Sequence, residues 1–530
     1  MIASRLHDAG MNGFAPEPES PAPVGVAWQR LAAIVAVASA IAVFAVYAAN
    51  AIALVGYPWD WSPDEGSYLD YARRLLRAPA TLYGKEVVPF PVPYTPLLPI
   101  LLAPVVALSG RPLLGARLLA CLWTILMVSA VYRLARRKAG PPLALAGSCL
   151  VLAPLDLSFW HMLVRIDGLM ISLWLAAAVP LLPSELRRGA DRLDARRMVT
   201  GVALLLAAVL AKPTAVLHGA PLVLGWLLVD RRSAVRLALS LTATGTAVLV
   251  ALQVATHGGF LFVMGLWRTH PPFPGIRRTV LLFTFDRSLP ILLFTLTGLA
   301  LALRRGGGRW RDSTLLLCLG GLLGVLILNK AGASWNYLLP GVCATVVLAT
   351  RWWGGAGREA IGSAVAAAIG LLLIATRVFP LPNAVDRETA RAFYGFVKGF
   401  VHEHGKPILA TWPEMAYFVA DQPVEAEGSG AVYLARAGAP GTEKISASLE
   451  RRDYTLVVTI PFVWTDPTFK PFIDRNYRAI GRCDLHFYYG LTPFTLLVRR
   501  GESAAFLPPP RTRCWALGAE STASAAESLP

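Results

Sequence analysis

Charge is scarce in this chain. Only 16% of its 530 residues are Asp, Glu, Lys or Arg, against 55% hydrophobic. That balance excludes a soluble protein of this size and points to a polytopic membrane protein. Acid is scarcer still, since 50 Lys and Arg against 33 Asp and Glu leave a formal net charge of +17. The cations cluster between apolar runs, which fits the positive-inside rule and anionic lipid rather than nucleic acid. Of the six cysteines, Cys121, Cys149, Cys318 and Cys343 lie inside apolar runs, where a thiol acts as a small hydrophobe. Only Cys483 and Cys514 remain as disulfide candidates. No Cys-x-x-Cys or zinc-type spacing occurs, and His402-Glu403-His404 reads as a solvated helix end. The chain has no Gly-rich phosphate loop ending in Gly-Lys-Ser/Thr, which argues against an ATP-driven pump. It has no Asp-x-Asp, which argues against a nucleotide-sugar enzyme using a divalent metal. No internal repeat is visible. No metal or other cofactor is expected; a divalent ion held by Asp64, Glu65 and Asp167 is the lesser reading.

What is present is organised around Trp59-Asp60-Trp61-Ser62-Pro63-Asp64-Glu65-Gly66-Ser67-Tyr68, just beyond the first long apolar run. Ser62 and Glu65 have capping-box spacing, Pro63 falls at the first helical position, and Tyr68, Ala72, Leu75 and Leu76 form one apolar stripe. The stretch predicts a short amphipathic helix on a membrane surface. Glu65 then either caps the helix or serves chemistry, and Asp64 either suits the helix dipole or acts as a base. Position favours chemistry, because an Asp-Glu pair beside the bilayer flanked by aromatics is where a membrane enzyme meets a lipid-borne substrate.

In chain order, residues 1–27 read as a disordered cytoplasmic tail rich in proline. Residues 28–378 read as a transmembrane domain. Its first helix, over 30–55, is too long for a signal-peptide core. The apolar segment from Tyr94 to Gly110 carries Pro96, Pro99 and Pro104 and is short for a span, so it reads as re-entrant or interfacial, leaving 56–112 as one long external loop. Further helices are expected near 113–132, 141–158, 168–183, 199–211, 213–229, 235–256, 288–303, 312–328, 337–350 and 359–378, giving about eleven spans. With that count Arg133/Arg136/Arg137/Lys138, Arg187/Arg188/Arg196/Arg197, Arg231/Arg232, Arg304/Arg305/Arg309/Arg311 and Arg351/Arg358 fall inside. The N-terminus is then cytoplasmic and the C-terminus outside. Residues 379–500 predict an extracytoplasmic α/β domain, with a helix over 386–404 and strands over 408–411, 455–460 and 494–498. Residues 501–530 read as a flexible tail.

The order of local features resembles a known family. After Pro63-Asp64-Glu65 come Tyr94-Thr95-Pro96-Leu97, Tyr132-Arg133-Leu134-Ala135-Arg136-Arg137, Arg165-Ile166-Asp167, Ala211-Lys212-Pro213-Thr214, and the run from Lys330 through Ser334-Trp335-Asn336-Tyr337 to Pro340. The set resembles the integral-membrane GT-C glycosyltransferases, in particular the bacterial protein-mannosyltransferase-like and aminoarabinose-transferase-like enzymes. The family commonly has Arg-Pro-Asp where this chain has Arg165-Ile166-Asp167, and His-Pro-Pro or Tyr-Pro-Pro where it has Tyr94-Thr95-Pro96. The resemblance implies a polyprenyl-phosphate-linked sugar donor, transfer on the external face of a bacterial plasma membrane to a glycan, lipid or protein acceptor, and inversion at the anomeric carbon.

The residues fit that chemistry independently. An acceptor hydroxyl needs a carboxylate to take its proton, and Asp64 at a helix start suits that task, with Glu65 as a second acidic group. The leaving phosphate needs cations where its charge develops; Lys85, Arg165, Lys212, Arg268 and Lys330 are the candidates. Tyr94, Asp167, His270, Asn336 and Tyr337 complete the substrate-binding set. Bland readings stand beside these: Lys212 as a snorkelling helix end, Arg165 and Asp167 as a mutual pair, Tyr337 as an interface anchor. The rival reading is a flippase or secondary transporter of a lipid-linked glycan, which predicts charges through helix middles at a pseudo-symmetric site. A non-catalytic scaffold whose C-terminal domain binds glycan is the third.

Overall fold

The computed structural model describes residues 24–517 apart from 63, 87, 267–274, 305–310, 329–333, 356–357, 380, 406, 411–414, 420, 423–431, 433, 437 and 488–489. The predicted Arg268, His270 and Lys330 and the N1 position of Pro63 therefore lie outside the described residues, as does most of the expected tail at 1–27.

The long apolar runs fold as α1 (Val24–Val55), α4 (Pro112–Ala135), α7 (Ile166–Leu181), α8 (Ala195–Ala211), α9 (Ala215–Val229), α10 (Arg231–Ala255), α12 (Ile276–Arg304), α14 (Leu339–Gly355) and α15 (Glu359–Thr376), with shorter α2 (Asp64–Arg77), α3 (Leu97–Leu108), α5 (Pro141–Cys149), α6 (Leu155–Ser158), α11 (Gly259–Leu266) and α13 (Thr314–Leu322) between them. α1 packs on α15 and α5, α7 on α4 and α8, and α13 on α9 and α14. Small residues permit the closest of these approaches. A Cβ on Gly321 would lie 2.6 Å from the backbone of Gly341, so α13 and α14 meet glycine to glycine.

The chain is a multi-pass membrane protein, but eleven spans are not confirmed. Among the described residues five helices are long and apolar enough to cross a membrane, or six if α6 and α7, bent by 86° at their junction, count as one broken span. The expected span at 141–158 breaks because α5 stops at Cys149 and Pro154 interrupts the continuation. α3 has 12 residues with Pro104 inside it, about 18 Å at the helical rise and too short to cross.

The arginine-rich connections meet at one end of the bundle. Arg137 donates to the Leu182 carbonyl at 2.9 Å, Lys138 and Arg351 both pair with Asp312 at 3.3 and 3.2 Å, and the Leu186 amide donates to the Arg311 carbonyl. α2, the start of α7, the end of α8 and the C-terminal domain lie at the other.

The C-terminal domain begins with α16 (Ala384–His404), started by a reciprocal capping box between Asn383 and Asp386. Its sheet has strands β1 (Ile408–Ala410), β2 (Leu456–Thr459), β3 (Tyr477–Phe487), β4 (Gly490–Arg499) and β5 (Cys514–Ala516) in the order β1-β2-β4-β3-β5, parallel only between β1 and β2. Leu456, Val458, Leu496 and Val498 pack on Phe393, Val397 and Phe400 of α16, whereas Val457 and Leu497 pack with Leu449 and Ile473 on the opposite face. Covering both faces explains why these strands read as continuous apolar runs. β3 alternates buried and half-buried residues and was invisible as an apolar run. The flexible tail expected at 501–530 is corrected for its described part, because β5 pairs with β3 and Cys514 is disulfide-bonded to Cys483.

Candidate active site

The site is assembled where α1 hands the chain to α2. Arg117, one turn into α4 and fully buried, holds that turn. Its guanidinium donates to the carbonyls of Leu54, Tyr57 and Trp59 at 2.6 to 2.9 Å and to both carboxylate oxygens of Glu65, at 2.9 and 2.6 Å. Glu65 also accepts from the Trp61 amide at 3.0 Å and the Val164 amide at 3.2 Å. A carboxylate with no exposure and this many donors is a positioning group. The structure thus places Glu65 in the frame beneath the site and away from solvent.

The helix start also differs from the expected capping box. The Asp60 carboxylate accepts from the Gly66 amide at 3.0 Å, Glu65 reaches back to Trp61, and the Ser62 hydroxyl accepts from Arg165 at 2.5 Å. α2 does not lie freely on a membrane surface either, since residues 65–74 are buried. Its polar face is engaged: Asp70 pairs with Arg73 at 2.7 Å and Arg74 at 3.0 Å, Arg74 donates to the Phe90 carbonyl, and Arg73 reaches the C-terminal domain at Asp421 and the Gln422 carbonyl. Trp59 stacks on Tyr394 of α16, and Trp61 meets His486 edge-on.

Asp64 takes the opposite position. Its side chain is 20% exposed and ion-paired to Arg165. Arg165 is extended backbone just before α7, which places its guanidinium over the Trp160 ring at 3.9 Å and 3.9 Å from Asp167. Asp167, in the first turn of α7 where the dipole favours an anion, pairs with Lys212 at 2.6 Å and hydrogen-bonds Asn336. Lys212 closes the C-terminus of α8, where a cation is favoured, and its ammonium lies 3.9 Å over the Tyr337 ring. The result is an alternating chain of Asp64, Arg165, Asp167 and Lys212 with only Asp64 substantially open to solvent.

Two tyrosines border it. The Tyr68 and Tyr94 rings are 6.2 Å apart, and burial pushes both hydroxyls well above their ordinary pKa, so they remain proton donors. The Tyr68 hydroxyl has no hydrogen-bond partner among the described residues. Beside Lys212, Tyr94 and Tyr337 opens a cavity of about 490 Å³ walled by apolar residues of α8, α10 and α11.

Of the predicted site residues, Asp64, Tyr94, Arg165, Asp167, Lys212, Asn336 and Tyr337 are brought together. Lys85 is exposed beside the turn that enters α11, where its ammonium would lie 3.6 Å from a Cβ on Gly258. Sequence reasoning missed Arg117, Asp60, Trp160 and the cavity. Arg117 carried a usable signal, because an arginine inside an apolar helix demands a buried acid. Among the described residues no group of three or more His, Cys, Asp or Glu side chains is placed to hold a metal ion.

This bundle and its appended sheet domain share their fold with solved structures of ArnT. Residues 92–258 match the family model described as dolichyl-phosphate-mannose-protein mannosyltransferase. The structure is similar to ArnT from Cupriavidus metallidurans in the apo state, with a TM-score of 0.53 and 13% identity over 89% of this chain and 98% of that one. The same protein bound to undecaprenyl phosphate aligns with a TM-score of 0.53 and 13% identity over 85% of this chain and 97% of that one. An oligosaccharyltransferase from Archaeoglobus fulgidus aligns less well, at 0.48 and 12% identity over 85% and 74%. No curated protein matches the chain in sequence.

Proposed function

We propose that the protein is a membrane glycosyltransferase that moves a sugar from a polyprenyl-phosphate donor to an acceptor on the external face of a bacterial plasma membrane, with inversion. The observation that carries this reading is a partly exposed carboxylate, Asp64, at the mouth of a buried Arg165–Asp167–Lys212 chain, next to an apolar cavity. The cavity suits the first isoprene units of the donor. Its phosphate would meet Lys212 and Arg165, the two cations within reach of Asp167.

The same contact gives the base its freedom. A phosphate engaging Arg165 draws the guanidinium from Asp64, leaving that carboxylate to accept the proton of an acceptor hydroxyl. The acceptor oxygen then bonds the anomeric carbon as the bond from that carbon to the phosphate oxygen breaks. The electron pair leaves on the polyprenyl phosphate, stabilised by Arg165 and Lys212. A single displacement from the face opposite the leaving group inverts the anomeric centre.

Two features support the external placement. The arginine-rich loops gather at the end away from the site, as the positive-inside rule requires of a cytoplasmic face, and the domain at the site end carries the Cys483–Cys514 disulfide, which suits an oxidising compartment. Similarity to a protein solved with undecaprenyl phosphate supports the donor class.

The test is purified protein in lipid with radiolabelled polyprenyl-phosphate sugars and a cell-envelope extract, comparing wild type with Asp64→Asn. Label moving to an acceptor with wild type alone supports both the reaction and its base. Full activity in Asp64→Asn removes the base assignment, and donor changing leaflets without transfer replaces the enzyme with a flippase.

A further inference from the structure

The end of the bundle opposite the site holds a second recess that the proposed reaction does not use. It is a groove of about 900 Å³ between α4, α7 and α8. Leu122, Ile125 and Leu126 of α4 form one wall and are 61%, 52% and 38% exposed; Val179 and Leu204 contribute to the other. Its end is basic: Arg133, Arg196 and Arg197 line it beside a single acid, Asp194. Asp194 caps α8 by accepting from the Arg197 amide at 2.8 Å, and Arg197 is held by Asp191 at 3.0 Å. Arg133 and Arg196 are exposed, and neither forms an ion pair among the described residues. The adjoining recess adds Arg137 and Arg187, while its Lys138 and Arg351 pair with Asp312.

Neither feature alone identifies an occupant. Apolar groove walls suit any acyl chain, and surface arginines suit any anion. Their junction is selective, because two uncompensated guanidinium groups, in the last turn of α4 and the first turn of α8, stand at the end of an apolar slot. A zwitterionic headgroup would bring its own cation against them, whereas a headgroup with net negative charge is complementary.

We infer that this groove binds one anionic phospholipid of the leaflet at the arginine-rich end, its acyl chains along α4 and its phosphate between Arg133 and Arg196. The site stands apart from the sugar-transfer reading, since it uses none of the residues assigned to that reaction.

Native mass spectrometry of the full-length protein, released from nanodiscs of mixed phosphatidylglycerol and phosphatidylcholine, tests it. Wild type is expected to retain one phosphatidylglycerol in preference to phosphatidylcholine. Arg133→Gln/Arg196→Gln should lower that preference about thirtyfold, from the ~1 kcal/mol that each of the two cations contributes near a membrane surface. Arg231→Gln/Arg232→Gln removes the same charge from the start of α10, outside the groove, and should leave it within about twofold. Leu126→Trp fills the groove without touching charge and should also expel the lipid, which guards against misfolding of the arginine pair. No preference in wild type, an unchanged preference in both groove variants, or an equal loss in the α10 control would each overturn the site.

Discussion

Asp64 and Glu65 are adjacent in the chain and belong to two regions built on opposite terms. Glu65 and Arg117 form a closed unit: both are fully buried, and the carboxylate meets a guanidinium that also fixes three carbonyls of the entering loop. Asp64 belongs to an open unit, where it shares Arg165 with Ser62 and Asp167 and keeps one-fifth of its side chain in solvent. A buried pair of this kind is costly to break because the surviving partner is stranded. An open carboxylate can exchange its partner for a substrate. One region supplies shape and the other supplies chemistry.

The sharpest way to break that contrast is to neutralise one charge in each region. Asp64→Asn should lower transfer by about 10²- to 10⁴-fold, the usual contribution of a positioned base, with its unfolding temperature unchanged. The opposite variant is Arg117→Met, which leaves Glu65 buried without its counter-ion and should cost about 3 to 5 kcal/mol of stability. Thermal unfolding in a fixed detergent measures both. An Asp64→Asn protein that melts early, or an Arg117→Met protein as stable as wild type, would collapse the distinction.

A smaller effect sharpens the open region. Tyr337→Leu removes the ring under Lys212 while leaving the Lys212–Asp167 contact in place. The loss of a desolvated cation–π contact is worth about 1 to 2 kcal/mol. If Lys212 serves the donor phosphate, the change should appear as a KM for donor raised several-fold, with acceptor KM unaffected. A change confined to kcat would instead move Tyr337 toward the reacting centre.

How far this contrast was legible depends on what each region leaves in the sequence. The open region was largely readable. Asp64, Arg165, Asp167 and Lys212 stand at the ends of apolar runs, where charged residues are conspicuous, and the structure joins them across 148 positions of chain, from 64 to 212. The closed region was not readable as such, because Glu65 carries the spacing of a helix cap and its true partner is 52 positions away. Helix positions followed from the apolar runs, but the number of crossings did not, since several runs stop short at prolines or split at bends. β5 has three residues, too few for a period, and is specified by its pairing and its disulfide.

The smallest expected effect concerns the contact that holds the C-terminal domain against the closed region. Trp61 meets His486 edge-on at 5.4 Å, His486 lies 3.2 Å from Asp386, and Arg513 pairs with the same carboxylate. Burial raises the Asp386 pKa, but the Asn383 amide, His486 and Arg513 outweigh it and hold the carboxyl below its ordinary value. A carboxyl whose pKa falls on folding adds stability at pH values above its unfolded pKa, about 3.9, and loses it as pH falls through the lower folded value. Asp386→Asn should therefore destabilise the protein by about 1 to 2 kcal/mol near neutrality, and the gap from wild type should narrow as pH is lowered below about 4. Unfolding followed by tryptophan fluorescence at several pH values measures that gap. If it stayed constant down to pH values well below 4, the ionised carboxylate would not be what ties the domain to Trp61, and the capping box of α16 alone would account for Asp386.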